Sequence, residues 1–257
     1  MYDVVNITEN VYWVGTNDRK TDRFENMWPL ERGVAYNSYI IVDEKTVLVD
    51  TVEFGESDIF LEKVERVLEG RTLDYLVINH MEPDHSGAVR DVIARYPDVQ
   101  IVGNAKTFPM VEAFFGINKN FYVIKEGDKI ELGNHTLQFF MIPMVHWPET
   151  MVTYEINNKI LFSGDAFGSF GALDGGIFDE DEMRRYYSNI VGKYGAPVQA
   201  ALRKLSGLEI KYICATHGPI WRTNLNKVLT HYDKWSKLEP EEEGVVIVYG
   251  TMYGNTA

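Results

Sequence analysis

The segment Asn79-His80-Met81-Glu82-Pro83-Asp84-His85-Ser86-Gly87 puts two imidazoles and two carboxylates within six residues, directly behind the apolar run Tyr75-Leu76-Val77-Ile78. That run reads as a buried strand, so the cluster stands at a strand exit. Side chains at i, i+2, i+4 and i+5 scatter over different faces of a continuous helix or strand, whereas a turn containing Pro83 can fold them around one centre. The pattern points to a metal cradle, and two metals sharing it would account for the crowding of ligand types. The plainer alternative is a polar surface loop in which Asp84 caps a helix starting near Ser86. It is the weaker one for four such residues followed by Ser-Gly.

At 257 residues, 45% apolar and 13% aromatic, the chain can bury one sizeable domain, or one domain plus a piece of another. A net charge of -13 with no basic block argues against a nucleic-acid surface. It is compatible with a small cationic or neutral substrate, and an acidic redox partner would need a local basic patch. The single Cys214 rules out an intrachain disulfide framework and an all-cysteine cluster, and within an apolar strand it reads as a small core side chain. With no run of 18 apolar residues and no signal peptide after Met1-Tyr2-Asp3, the expectation is a cytoplasmic protein without a membrane partner.

Two short strands are expected in 4–15, then a solvated charged loop from Asp18 to Glu25, then a hairpin from Tyr36 to Val49. Ser57 opens a helix with Ile59, Phe60, Val64 and Val67 on one face, stopped by Gly70. Beyond the cluster come a helix (Gly87 to Tyr96), a strand (Gln100 to Val102), a helix (Lys106 to Phe115) and strands over 121–142, 151–156 and 159–162. Helices divided by Gly195 and Pro197 then fill Asp181 to Leu205, followed by a strand at Lys211 to Ala215 and a helix from Asn224. This order predicts two sheets in contact with helices outside. The acidic, proline-containing stretch 239–243 has the composition of a linker. After it, Val245-Val246-Ile247-Val248-Tyr249 reads as a new strand; residues 244–257 are too few for a domain, so a truncated second domain is expected.

Three further residues stand at strand exits: His146 in Pro143-Met144-Val145-His146-Trp147-Pro148, Asp165 in Phe162-Ser163-Gly164-Asp165, and His217 in Ala215-Thr216-His217-Gly218-Pro219. α/β folds assemble sites at such edges, and together with the first cluster these favour one shared site. His135 and His231 read as ordinary surface or capping residues. Trp147 either lines a pocket mouth or packs against its proline-flanked loop. The glycines between Gly164 and Gly176 form no dinucleotide fingerprint and let a loop pass close to the site.

The order His-x-Glu-x-Asp-His, then His, then Asp at a strand end, then His, resembles the metallo-β-lactamase fold, an αββα four-layer sandwich of α/β (α+β) class with a two-metal centre. Glu82 in place of a second histidine, with His-Trp-Pro, Ser-Gly-Asp-Ala-Phe-Gly and His-Gly-Pro-Ile-Trp, closely resembles flavodiiron proteins over nearly all of 1–238. The resemblance implies a diiron centre: His80, Glu82 and His146 on one iron, Asp84, His85 and His217 on the other, Asp165 bridging. In some relatives the histidine at His85's place is left unligated and solvent takes its coordination position. It also implies that 244–257 begins a flavodoxin-like domain that binds FMN, with Thr251, Met252, Tyr253, Gly254, Asn255 and Thr256 as its phosphate loop. The implied activity is reduction of dioxygen to water or of nitric oxide to nitrous oxide, fed by a rubredoxin-like, flavin or deazaflavin donor in a head-to-tail homodimer.

Charge supports iron separately: two ferrous ions bring four positive charges, Glu82, Asp84 and Asp165 bring three negative ones, and a bridging hydroxide would neutralise the core. Carboxylate-plus-imidazole ligation suits redox iron, while a histidine-richer set favours zinc, which an iron-poor preparation could still load. The alternatives are a metal-dependent hydrolase of the same superfamily, against which Glu82 and the terminal segment count, and a non-catalytic scaffold, which the full set of seven positions weakens.

Overall fold

The computed structural model describes residues 3–175 and 179–255. Its larger sheet runs in the order Val5–Thr8, Val11–Trp13, Tyr39–Val42, Thr46–Val49, Tyr75–Val77, Gln100–Gly103, Phe121–Val123. Pairing is antiparallel as far as Thr46–Val49 and parallel beyond it. The second sheet runs Lys129–Glu131, Thr136–Met141, Met151–Glu155, Ile160–Gly164 antiparallel, with Tyr212–Ala215 added in parallel.

Side-chain alternation explains why these strands read as unbroken apolar runs. Leu48 and Leu76 pack in the cluster that holds Phe60 and Val64 of the helix Ser57–Leu68. Their neighbours Val47, Val49, Tyr75 and Val77 instead join Phe139, Met151, Phe162 and Cys214 between the sheets. A sheet covered on both faces has no polar side to show. On the far side, Val198, Ala201 and Leu205 of the helix Gly195–Leu205 meet Ile142 and Val152. The layers are helix, sheet, sheet, helix: the two sheets with helices outside expected from the residues, and the αββα sandwich that the resemblance implies.

Parallel strands need crossovers, which bring successive strands back to the same edge of a sheet. Tyr75–Val77 and Thr46–Val49 therefore end side by side, as do Ile160–Gly164 and Tyr212–Ala215. The two edges are sewn together by Asn79. Its backbone N–H and side-chain Nδ2–H donate to the carboxylate of Asp50 at 2.7 and 2.9 Å. Its Oδ1 accepts from Thr153 Oγ1 at 2.7 Å, and its carbonyl from Met151 N at 3.0 Å. Asp50 is fully buried, and burial pushes its carboxyl up to about 6.

Several local expectations change. In the helix Ser57–Leu68 the buried face is Phe60, Val64 and Leu68, at four-residue spacing, and Ile59 is 39% exposed. The segment Asp18 to Glu25 is not simply solvated. Asp18 is buried, accepting from the N–H groups of Lys20 and Thr21 and from Thr21 Oγ1, and Phe24 is buried against the ring of His217. His135 is buried too, its N–H and ring nitrogen both 2.7 Å from Asp43 Oδ2, and His231 stacks on Trp235 and faces Glu180. The helix from Glu180 to Tyr186 widens into a π turn at Tyr187–Val191 and tightens at Gly192–Tyr194 before Gly195–Leu205 resumes; Pro197 sits in that helix's first turn, where its missing N–H costs nothing. Val245 to Tyr249 forms no strand, and its apolar side chains are exposed. Apolar alternation makes a strand only where a neighbour supplies the ladder. Thr251 to Asn255 are exposed, and Thr256 lies outside the described residues. Among the described residues no helix is long and apolar enough to cross a membrane.

Candidate metal centre

All seven ligand-type side chains converge in two groups, His80, Glu82, His146 and Asp165 in one and Asp84, His85 and His217 in the other, the ligand atoms of each lying within 4.8 Å of one another. Pro83 builds the first cluster. It stands at the first position of a short helix, Pro83–Ser86, with Glu82 just outside in extended conformation. Glu82 thus points one way from the turn, while Asp84 and His85 ride on it. Asp84 does not cap this helix; its two oxygens are buried and have no hydrogen-bond partner. The turn is anchored by Ser86 Oγ donating to the carbonyls of Met81 and Glu82, and by His85's carbonyl accepting from both Thr51 N and Oγ1 at 2.8 Å. Gly87 is required by close approach: a Cβ there would stand 2.5 Å from the Phe54 nitrogen.

Asp165 joins the two groups. Its Oδ2 is 2.9 Å from His146 Nε2 and 3.5 Å from His80 Nε2, and its Oδ1 is 2.7 Å from His85 Nε2. Thr216 Oγ1 donates to the same Oδ1 at 2.6 Å and fixes the carboxylate plane. In the first group Glu82 Oε2 is 2.9 Å from His146 Nε2 and 3.3 Å from His80 Nε2. In the second, His217 Nε2 lies 3.1 Å from Asp84 Oδ2 and 3.2 Å from His85 Nε2.

These spacings fit metal ions. Bonds of about 2.1 Å place adjacent ligand atoms about 3 Å apart in a coordination polyhedron. Asp84, whose two oxygens are buried without a donor, needs positive charge beside it. The field is strongly negative in keeping with that: burial alone would push His85 and His146 down, yet Asp84 and Asp165 raise the first, and Asp165 and Glu82 the second, to about 9. His80 is likewise held well above its ordinary value despite burial, chiefly by Asp165 and Glu149.

Residues 34–218 match the family model described as ODP family beta lactamase. The chain belongs to that family. Among proteins with an ODP domain its likeness is to flavodiiron proteins. It is 34% identical to the anaerobic nitric oxide reductase flavorubredoxin of Escherichia coli O1:K1 over 97% of its own length, and spans only 54% of that protein. It superposes on rubredoxin oxygen:oxidoreductase from Desulfovibrio gigas with a TM-score of 0.88 at 30% identity, covering 93% of this chain and 62% of the other. On the flavodiiron protein from Giardia intestinalis the TM-score is 0.86 at 29% identity, covering 92% and 60%.

Two carboxylates at this flavodiiron-like centre were not evident from the sequence, Glu149 within the ODP match and Glu25 ahead of it. Glu149, buried behind His80, has Oε1 2.8 Å from His80 Nδ1. Glu25 sits at the rim of the first group; partial burial and the neighbouring Glu82 carboxylate push it up to about 7. Glu149 had one local signal, its place one residue after His-Trp-Pro, whereas Glu25 lay inside a mixed-charge run with none. Trp147 packs edge-on to the His80 ring at 5.1 Å, so it serves as a wall of the site.

Proposed function

We propose that the chain is the metal-bearing module of an oxidoreductase that takes two iron ions, one at His80, Glu82 and His146, one at Asp84, His85 and His217, with Asp165 shared. The observation that carries this reading is the sharing: one buried carboxylate presents an oxygen to each of two separate ligand groups. Two ferrous ions held there supply one electron each, enough to couple two nitric oxide molecules to nitrous oxide but half of what one dioxygen needs to become water. The chain's own residues set the rest. The Ala35 carbonyl accepts from His217 Nδ1 at 2.8 Å, so Nε2 keeps its lone pair for the second group. Trp147 and the buried Phe24, whose ring lies 5.1 Å from that of His217, exclude water from two sides.

Continued turnover needs an electron relay. We assign that role to an FMN domain beginning at 244, after a linker at 239–243, with Thr251 to Thr256 at its phosphate loop. The flavin serving one centre would come from the other subunit of a head-to-tail dimer. Exposed apolar side chains on three segments around the centre fit such docking: Met27 (54%), Phe54 (69%) and Met144 (39%). Mixing the ferrous-loaded chain anaerobically with nitric oxide, without a donor, should yield up to one nitrous oxide per pair of irons, and with a reduced rubredoxin-like donor but no flavin the chain should not consume oxygen repeatedly. Sustained reduction of dioxygen to water by this chain alone, or no nitrous oxide from a fully loaded centre, contradicts the proposal.

A further inference from the structure

We infer that Glu149 is a positioning residue that fixes His80 and makes the first metal group the tighter of the two; this rests on the two-metal reading above. Glu149 is 1% exposed and stands at the end of the loop that carries His146, just before the strand Met151–Glu155. Its Oε1 accepts from His80 Nδ1 at 2.8 Å and from the Met81 backbone N–H at 3.0 Å. Its carbonyl accepts from Asn104 Nδ2 at 2.5 Å, and that of Pro148 from Lys106 Nζ at 3.3 Å, so the loop bearing the carboxylate is tied to the larger sheet.

The other oxygen, Oε2, is buried and has no hydrogen-bond partner. A carboxylate half-committed to a ring N–H and otherwise bare is costly in an apolar interior unless positive charge lies on the far side of that ring. His80 Nε2, facing Glu82 and Asp165, is where such charge would sit. With Nδ1 donating, the tautomer is set and Nε2 offers its lone pair inward; the anion behind the ring makes that nitrogen the stronger donor. The second group lacks this support. His217 Nδ1 has a neutral backbone carbonyl, and His85 Nδ1 is buried with no partner. The two groups are thus built unequally: among the described residues a carboxylate is hydrogen-bonded to the outer nitrogen of a ring in the first group and of neither ring in the second.

Anaerobic titration of the metal-free chain with Co(II), followed by its visible ligand-field bands, tests this. The unaltered chain should take up two ions, the tighter one first. Glu149→Gln keeps an acceptor for Nδ1 and loses the charge, so it should weaken one of the two steps about 10- to 100-fold and shift that step's bands. Glu149→Ala should weaken the same step further. The loss should persist in a His217→Ala background, which assigns it to the His80 group. Both variants binding as the unaltered chain does, or both steps weakening equally with a lower melting temperature, would overturn the inference and leave the two-metal reading standing. No cobalt uptake by the unaltered chain would overturn both.

Discussion

Replacing Asp165 by alanine is expected to take the iron content of the reconstituted chain from about two ions to near zero. Other ligands belong to one group each, and losing one of them leaves the opposite group whole. Asp165 belongs to both: Oδ1 lies 2.7 Å from His85 Nε2, Oδ2 2.9 Å from His146 Nε2. Without it each remaining set of three keeps a single carboxylate, Glu82 or Asp84, and two imidazoles, and His80, His146 and His85 lose the carboxylate they faced. Each ion would then lose one anionic donor and the negative charge between the two ions, which disfavours binding at both groups. Metal analysis after anaerobic loading, with a melting curve of the metal-free protein to check the fold, measures this. A variant that keeps one full equivalent would mean that Asp165 serves only one group.

The second large effect is on stability. Asn37→Ala should cost about 2–4 kcal/mol, because one amide serves three buried partners, of which the Ala215 carbonyl keeps the Tyr39 hydroxyl at 2.6 Å, and each bond lost there costs about 1–3 kcal/mol. Asn37 is fully buried. Its Oδ1 accepts from Trp13 Nε1 at 2.7 Å, and its Nδ2 donates to the carbonyls of Ala215 and Gly218 at 2.9 and 2.8 Å. Those carbonyls flank His217, and the loop between them is held in a conformation that Gly218 alone permits: φ is +75°, and a Cβ would stand 2.7 Å from that of Ser169. Urea unfolding at constant m should show the loss, and the His217 group should bind metal more weakly than the His80 group in the same variant. A loss under about 1 kcal/mol would mean that water replaces the amide.

What the sequence disclosed follows from how each residue acts. The seven ligand-type residues could be picked out because each stands where an apolar run stops, and such stops are local. The sandwich was legible for the same reason: strands buried on both faces leave long apolar runs. Glu149 was not, since its partner His80 is 69 residues away and a single acid beside a proline has no pattern of its own. Asp18 and Phe24 were hidden in a charged run that folds inward because Asp18 finds three donors within it. His135 was hidden because the acid that draws it in, Asp43, sits 92 residues away in a hairpin turn of the larger sheet. Val245 to Tyr249 shows the converse: a strand-like pattern forms no strand and stays exposed where no neighbour offers a ladder.

Anomalous diffraction at the iron edge, from crystals of the chain reconstituted anaerobically with ferrous iron, tests the central claim most directly. Two peaks are predicted, one enclosed by His80, Glu82 and His146, the other by Asp84, His85 and His217, with a carboxylate oxygen of Asp165 against each. A single peak, peaks elsewhere, or His146, Asp165 and His217 turned away from the first cluster would contradict it.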